Sequence, residues 1–209
     1  MDINGLKMKK RVLILGGTSG FGLVLAKTLS SNYNVSVTGR RSISDYGINS
    51  IIFDTKDLDV SFLSDLCPDV IINNGYDVND HLASYGNSLL VVKKSIEYFK
   101  IRGSGVVINV NSIAGLQPDE KDPDYAASKH GLKGYVDSVS HDAYLNNINI
   151  INLYPRAISV GMTEGRPDFS KLINPTELAE FCAIMIETKS FYVSTIVFDR
   201  VFSNENNFS

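Results

Sequence analysis

Cysteine is scarce in these 209 residues. The two present, Cys67 and Cys182, lie far apart beside apolar or Pro residues, so neither a disulfide framework nor a metal-ligand spacing is visible. A reducing compartment fits that usage, and no metal is expected. Long apolar runs are also missing: nothing approaches the roughly 18 uninterrupted apolar residues of a membrane helix. A strand and a glycine loop follow the N-terminus directly, which leaves no room for a cleaved signal, so the expected location is cytoplasmic, with no membrane partner. No sign of charge dominates. A net charge of -3 gives no electrostatic footprint for nucleic acid, and the single short basic run from Lys7 to Arg11 reads as a solvated lead-in to a strand.

What is present is an ordinary globular composition, 44% hydrophobic and 21% charged, in a chain long enough for one sizeable core. We therefore expect one domain over residues 1–209. Short apolar segments predict strands at 11–15, 35–38, 51–53, 69–72, 105–110, 148–153 and 195–198. Between them, helical spacing predicts helices over 22–30, 60–66, 81–99, 125–145 and 175–187, the last announced by Asn174 and Pro175. Strands alternating with helices imply an α/β fold, a doubly wound parallel sheet of about seven strands with helices on both faces. Residues 118–124 and 157–170 and the polar tail 203–209 are the expected loose regions.

Gly16-Gly-Thr18-Ser19-Gly20-Phe21-Gly22 lies between the first strand and the first helix. Glycines there permit a tight turn and close backbone approach, and the helix N-terminus presents unpaired N–H groups to a pyrophosphate. Thr18 and Ser19 add hydroxyl donors. The spacing Gly16-x-x-x-Gly20-x-Gly22 resembles the cofactor loop of short-chain dehydrogenases/reductases, a Rossmann-type family, and the resemblance covers nearly the whole chain. Asn73-Asn74-Gly75 after the fourth strand is similar to that family's Asn-Asn-Ala-Gly segment, which runs along the adenosine side of the cofactor. The sequence departs from it at Gly75 and Tyr76, where the family usually has Ala and Gly.

The second strand runs out into Gly39-Arg40-Arg41, with no acid at its end. An Asp or Glu there accepts from the ribose hydroxyls and favours NAD, whereas Arg favours a 2′-phosphate. NADP(H) is therefore the expected cofactor ahead of NAD(H), with Arg40 preferred over Arg41. By the resemblance, Asp54 accepts from the adenine amino group and Thr55 supplies backbone contacts.

Tyr125-Ala-Ala-Ser-Lys129 opens a predicted helix, where a spacing of four puts both side chains on one face. A neighbouring ammonium is expected to lower the phenol's pKa toward the working range. Upstream, the strand from Gly105 ends at Ser112, and strand C-termini are where open α/β sheets place their sites. A hydroxyl there stabilises charge on a developing alkoxide. The resemblance makes Ser112, Tyr125 and Lys129 catalytic, gives Lys129 a bond to the nicotinamide ribose, and assigns Asn87 to a water in the proton relay. Asn79 and Asn74 are alternatives to Asn87.

Tyr154-Pro155-Arg156-Ala157-Ile158 resembles the family's Pro-Gly turn beside the nicotinamide, which makes Pro155 and Ile158 cofactor neighbours. Arg156 replaces the glycine and is open to solvent or to an anionic substrate group. Val160 stands about where the family has Thr. Only about 20 residues separate Pro155 from Pro175, so a short substrate-covering segment and an open pocket are expected. His81, His130 and His141 show no metal-like grouping. The implied activity is NADP(H)-dependent hydride transfer with a small-molecule carbonyl or alcohol, in a homodimer or homotetramer formed through the two long helices. The alternatives are a catalytically inactive dinucleotide-binding sensor and a sugar-nucleotide epimerase or dehydratase, the latter disfavoured by chain length.

Overall fold

Alternation along the first strand sets the layering. In β1 (Arg11–Leu15), Val12 and Ile14 point into one apolar cluster while Leu13 and Leu15 point into another, as strand geometry requires. Both clusters are buried, so the strand reads as a continuous apolar run rather than an alternating one. The computed structural model describes residues 8–44, 47–188, 190 and 192–200. The expected loose tail at 203–209 lies outside the described residues.

After β1 come α1 (Gly20–Ser30), β2 (Asn34–Gly39), β3 (Asn49–Ile52), α2 (Val60–Leu66), β4 (Val70–Asn73), α3 (His81–Arg102) and β5 (Gly105–Val110). They are followed by α4 (Pro123–Leu145), β6 (Ile148–Pro155), α5 (Pro175–Glu187) and β7 (Thr195–Phe198). The seven strands form one sheet in the order β3-β2-β1-β4-β5-β6-β7, parallel at each pairing. Helices α1 and α5 cover one face through Leu25, Leu29, Leu178 and Cys182. Helices α2, α3 and α4 cover the other through Leu63, Val91, Phe99, Leu132 and Val136. This is the expected doubly wound architecture.

The boundaries that differ do so for local reasons. Helix α4 starts at Pro123 rather than Tyr125, because the Asp122 carboxylate accepts the Tyr125 backbone N–H at 3.0 Å and proline is tolerated in a first turn. Helix α3 runs on to Arg102 and stops at Gly103, whose φ of 91° glycine adopts freely. Strand β3 lies earlier than expected and leaves Phe53 outside it, stacked on Phe62 of α2. The two internal segments expected to be loose carry defined hydrogen bonds. Residues 118–124 form the capped entry to α4, and beyond β6 the Ile173 amide donates to Ala157 O while Ser159 N donates to Ile173 O.

Strand order reverses between β1 and β4, so the chain leaves their C-terminal ends in opposite directions and a crevice opens there. The β1–α1 turn, the end of β2 and residues 74–80 after β4 all meet at that crevice.

Candidate active site

The glycine loop is shaped by two backbone contacts. Gly16 and Gly17 both donate their N–H groups to Thr38 O, at 3.1 and 3.0 Å, and the Asn74 amide donates to Gly16 O at 2.9 Å. Gly16 has a φ of 78°, and any side-chain carbon on it would meet the Gly75 backbone. A carbon on Gly22 would press on Gly16 O. The sequence departure at Gly75 thus leaves the smallest residue where the two turns touch.

At the start of α1, Ser19 stands extended at the N-cap without a side-chain hydrogen bond to the first turn, and no acid occupies that turn. The first-turn N–H groups are left for an outside acceptor, which suits a pyrophosphate. Thr18 is buried against Gly39, whereas Ser19 and Gly20 are exposed. Phe21 turns its ring into the core, so only its backbone faces the loop.

Arg40 leaves the end of β2 and pairs with Asp77, Nη1 to Oδ2 at 2.9 Å, with its own side chain 88% exposed. Arg41 is exposed next to it. Asp54 follows β3 and accepts from Lys56 N at 3.1 Å while pairing with its ammonium, which holds the carboxyl below the usual range; Thr55 begins the short helical turn that Asp54 caps.

The chemistry-bearing side chains gather past the end of β5. Ser112 caps a single turn there, its Oγ accepting from Ala114 N at 3.2 Å. Its hydroxyl lies near enough to Tyr125 to favour the phenolate. Buried Asn111 joins this turn to α4, donating to Lys129 O at 3.2 Å and accepting from Ser112 N at 2.9 Å. Tyr125 and Lys129 lie one turn apart on α4, and the Lys129 ammonium sits 5.5 Å from the Tyr125 ring centre. Among the described residues that ammonium has a second aromatic neighbour, Tyr76, but no hydrogen-bond acceptor, so it is free to take a ribose hydroxyl.

Burial, rather than mutual charge, governs the pair. Desolvation pushes Lys129 down to about 7. Desolvation also raises Tyr125, with Ser112 opposing and Asp119 and Asp122 adding to the rise. The expected lowering of the phenol by a neighbouring ammonium is therefore reversed, because burial of the phenol itself dominates.

Asn87 lies half-buried on α3, and its amide has no hydrogen-bond partner among the described residues. Next to it the Ser88 carbonyl accepts from Asn73 at 3.2 Å. Pro155 ends β6 and is buried; Ile158 bridges to Ile173 and packs on the α1–α5 side of the core. Arg156 is committed to Asp199 in a two-point fork, Nε at 2.5 Å and Nη2 at 3.0 Å, so its charge is answered within the chain. The Thr163 hydroxyl folds back onto this turn, donating to Ile158 O at 2.7 Å and accepting from Val160 N at 3.0 Å.

Sequence reasoning missed Tyr76, Asp77, Asn111, Asp122 and Thr163. The Asp122-Pro123 pair is a legible cap signal; the others act through contacts that no local pattern encodes.

The profile of the short chain dehydrogenase family matches residues 77–170, the stretch that holds Asn87, Ser112, Tyr125, Lys129 and Pro155. The 3-oxoacyl-(acyl-carrier-protein) reductase of Chlamydia muridarum is 23% identical over 92% of this chain and 96% of its own. The D-beta-hydroxybutyrate dehydrogenase of Rhizobium meliloti is 24% identical over 88% and 86%. ElxO with NADP bound superposes with a TM-score of 0.77 at 19% identity, covering 92% of this chain and 98% of that one. The 3-ketoacyl-(acyl-carrier-protein) reductase of Brucella melitensis in complex with NADH also gives 0.77, at 20% identity over 91% and 96%. Fold and site together define an oxidoreductase of the doubly wound α/β class. The family model thus matches the central part of the chain, and the named reductases and dehydrogenases resemble most of its length at 23–24% identity.

Proposed function

We propose that this chain is an NADP(H)-dependent enzyme that interconverts a small-molecule carbonyl and its alcohol, with Tyr125 as general acid and base. The observation that carries the reading is the gathering of half-buried Ser112 and Tyr125 with buried Lys129 beside an uncapped glycine loop. When bound, the nicotinamide supplies or accepts the hydride at the substrate carbon.

The chain's own residues account for the proton and the charge. Ser112, its oxygen already accepting from Ala114 N, has its proton free to donate to a carbonyl oxygen as negative charge develops there. Tyr125 keeps its proton through neutral pH because burial raises its pKa, which suits an acid that protonates that oxygen during reduction. Lys129, near 7, is matched to receive and return a proton at working pH. Asn87 is assigned the water that continues the path, and Pro155 and Ile158 border the nicotinamide.

Arg40 supports NADP(H) over NAD(H). Its partner Asp77 holds it in an exposed, solvent-screened ion pair, weaker than charge-assisted bonds to a phosphate. Asn74, Gly75, Asp54 and Thr55 line the adenosine side. Homodimer or homotetramer assembly through α3 and α4 and a cytoplasmic location complete the reading; no helix among the described residues is long and apolar enough to cross a membrane.

The test is a fluorescence titration of the purified protein with NADPH and NADH, for wild type and Arg40→Ala, followed by a carbonyl screen with Tyr125→Phe as control. NADPH preferred by wild type and lost in the Arg40 variant supports the cofactor assignment. Binding of neither nucleotide overturns the oxidoreductase reading.

A further inference from the structure

Tyr76 stands where the family usually has glycine, and its side chain reaches across the crevice to α4. Its hydroxyl lies 2.9 Å from His81 Nδ1 and 2.8 Å from Ser128 Oγ. Its ring meets the Tyr125 ring edge to face, with centres 5.4 Å apart, and the Lys129 ammonium rests over it at 4.0 Å. His81 is held in turn, Nε2 to Asp122 Oδ2 at 3.2 Å, by the same carboxylate whose other oxygen caps α4 at Tyr125 N.

Proton counting shows how firmly the hydroxyl is held. Ser128 has one proton, and its oxygen is within 2.7 Å of Tyr125 O as well as 2.8 Å of Tyr76. With His81 neutral and its Nε2–H on Asp122, Tyr76 donates to Nδ1 and accepts from Ser128. With His81 protonated, Nδ1–H donates to Tyr76, Tyr76 donates to Ser128, and Ser128 turns its proton to Tyr125 O. The phenol oxygen keeps two partners in both arrangements, so the ring stays in place in either one.

We propose that Tyr76 is a positioning residue of this active site, its hydroxyl anchored by His81 and Ser128 so that its ring seats the Lys129 ammonium and walls the Tyr125 ring. The assignment of a role in catalysis rests on the dinucleotide-dependent reading above; the seating itself does not. A ring face attracts a cation and favours the charged lysine, opposing the desolvation that pushes Lys129 down. The other titratable groups around the pair are Tyr125 itself, His81, Asp119 and Asp122. The tie from Asp122 through His81 to Tyr76 links the cap of α4 to the loop after β4, so the two elements that carry the site are registered to each other.

The test reads Lys129 directly, in protein carrying ¹³C at the lysine ε-carbons, with the Lys129 resonance assigned from the Lys129→Met spectrum. Tyr76→Leu keeps apolar bulk and removes the π face, and Tyr76→Phe keeps the face and removes the hydroxyl. The Lys129 titration midpoint falls by about half a unit to one unit in Tyr76→Leu and by clearly less in Tyr76→Phe. Tyr76→Met replaces the leucine variant if that one does not fold. An unchanged or raised midpoint in the apolar variant overturns the proposal, whatever the nucleotide titration shows. Conversely, a chain that binds no dinucleotide but shows the shift keeps the seat and loses the oxidoreductase reading. With a turnover substrate in hand, Tyr76→Leu lowers kcat more than it changes KM, and Tyr76→Phe restores most of the loss.

Discussion

Gly16 and Gly75 touch backbone to backbone: a side-chain carbon on Gly16 would come within 2.5 Å of the Gly75 Cα. Two turns from opposite sides of the strand-order reversal are thereby packed without side chains, and the Asn74 amide, donating to Gly16 O, locks them together.

Gly16→Ala adds a methyl group to this contact at a φ of 78°, where an L side chain is already strained. The variant loses about 2–4 kcal/mol of stability, from backbone strain and overpacking together, and binds NADPH far more weakly. Urea unfolding and nucleotide fluorescence measure the two effects. Wild-type stability and binding would show that the turns separate freely.

Arg40 and Asp77 join the end of β2 to the loop after β4, and β1 with its glycine loop lies between them in the sheet. The ion pair therefore crosses the mouth of the crevice, and a 2′-phosphate has to compete with Asp77 for the guanidinium. Asp77→Asn keeps an acceptor for Asn79 N and removes the charge. NADPH affinity rises by up to about fivefold, the most an exposed pair of this kind can withhold, and NADH affinity stays level. An equal gain for both nucleotides would place the effect outside the 2′-phosphate.

Much of this architecture is legible in the amino-acid sequence. The strand cores, the glycine loop and the Tyr125–Lys129 turn are local patterns, of period two, period 3.6 or fixed spacing, and β1, β5, β7, α2 and α5 lie where those patterns predict. Tyr76, Asp77 and His81 are not legible as site residues. Their roles depend on how the seven residues 74–80 fold back over α4 and toward β2, a long-range relation that leaves no periodicity. The direction of the Tyr125 shift escapes the sequence for a related reason: a spacing of four shows that two groups are neighbours, but the depth to which both are buried comes only from the packing around them.

That burial makes stability depend on pH through Lys129. Below about 7 the lysine is protonated in both folded and unfolded chains, and its desolvation opposes folding at full strength. Between about 7 and the ordinary 10.5 the unfolded chain binds this proton and the folded chain does not, so raising the pH through that window favours the folded state. Lys129→Met removes the dependence. At about pH 6 the variant is more stable than wild type by about 1–4 kcal/mol, as with other buried charges replaced by apolar groups, and the advantage shrinks at about pH 9. Denaturant titrations at the two pH values give the difference. An advantage that grows with pH would mean that the ammonium is stabilised in the folded chain.

Behind the site, Asn73, Asn109 and Asn152 stand opposite one another on β4, β5 and β6, all buried. Asn73 donates to Asn109 Oδ1 at 3.1 Å and Asn109 donates to Asn152 Oδ1 at 3.2 Å. Asn73 also donates to the Ser88 carbonyl on α3, so the ladder ties three strands to the helix that carries Asn87. Removing the central member strands a donor on one side and an acceptor on the other, each buried away from water. Asn109→Ala therefore costs about 2–5 kcal/mol, more than cavity formation at a residue of that size accounts for. Asn109→Asp keeps the acceptor for Asn73 but loses the donor to Asn152 and places a carboxylate in the core, so its loss of stability is largest at high pH and recovers as the pH falls and the carboxyl takes up a proton. Thermal unfolding of both variants across pH decides it: a pH-independent loss in Asn109→Asp would show that water reaches the ladder and that the three amides do not depend on each other.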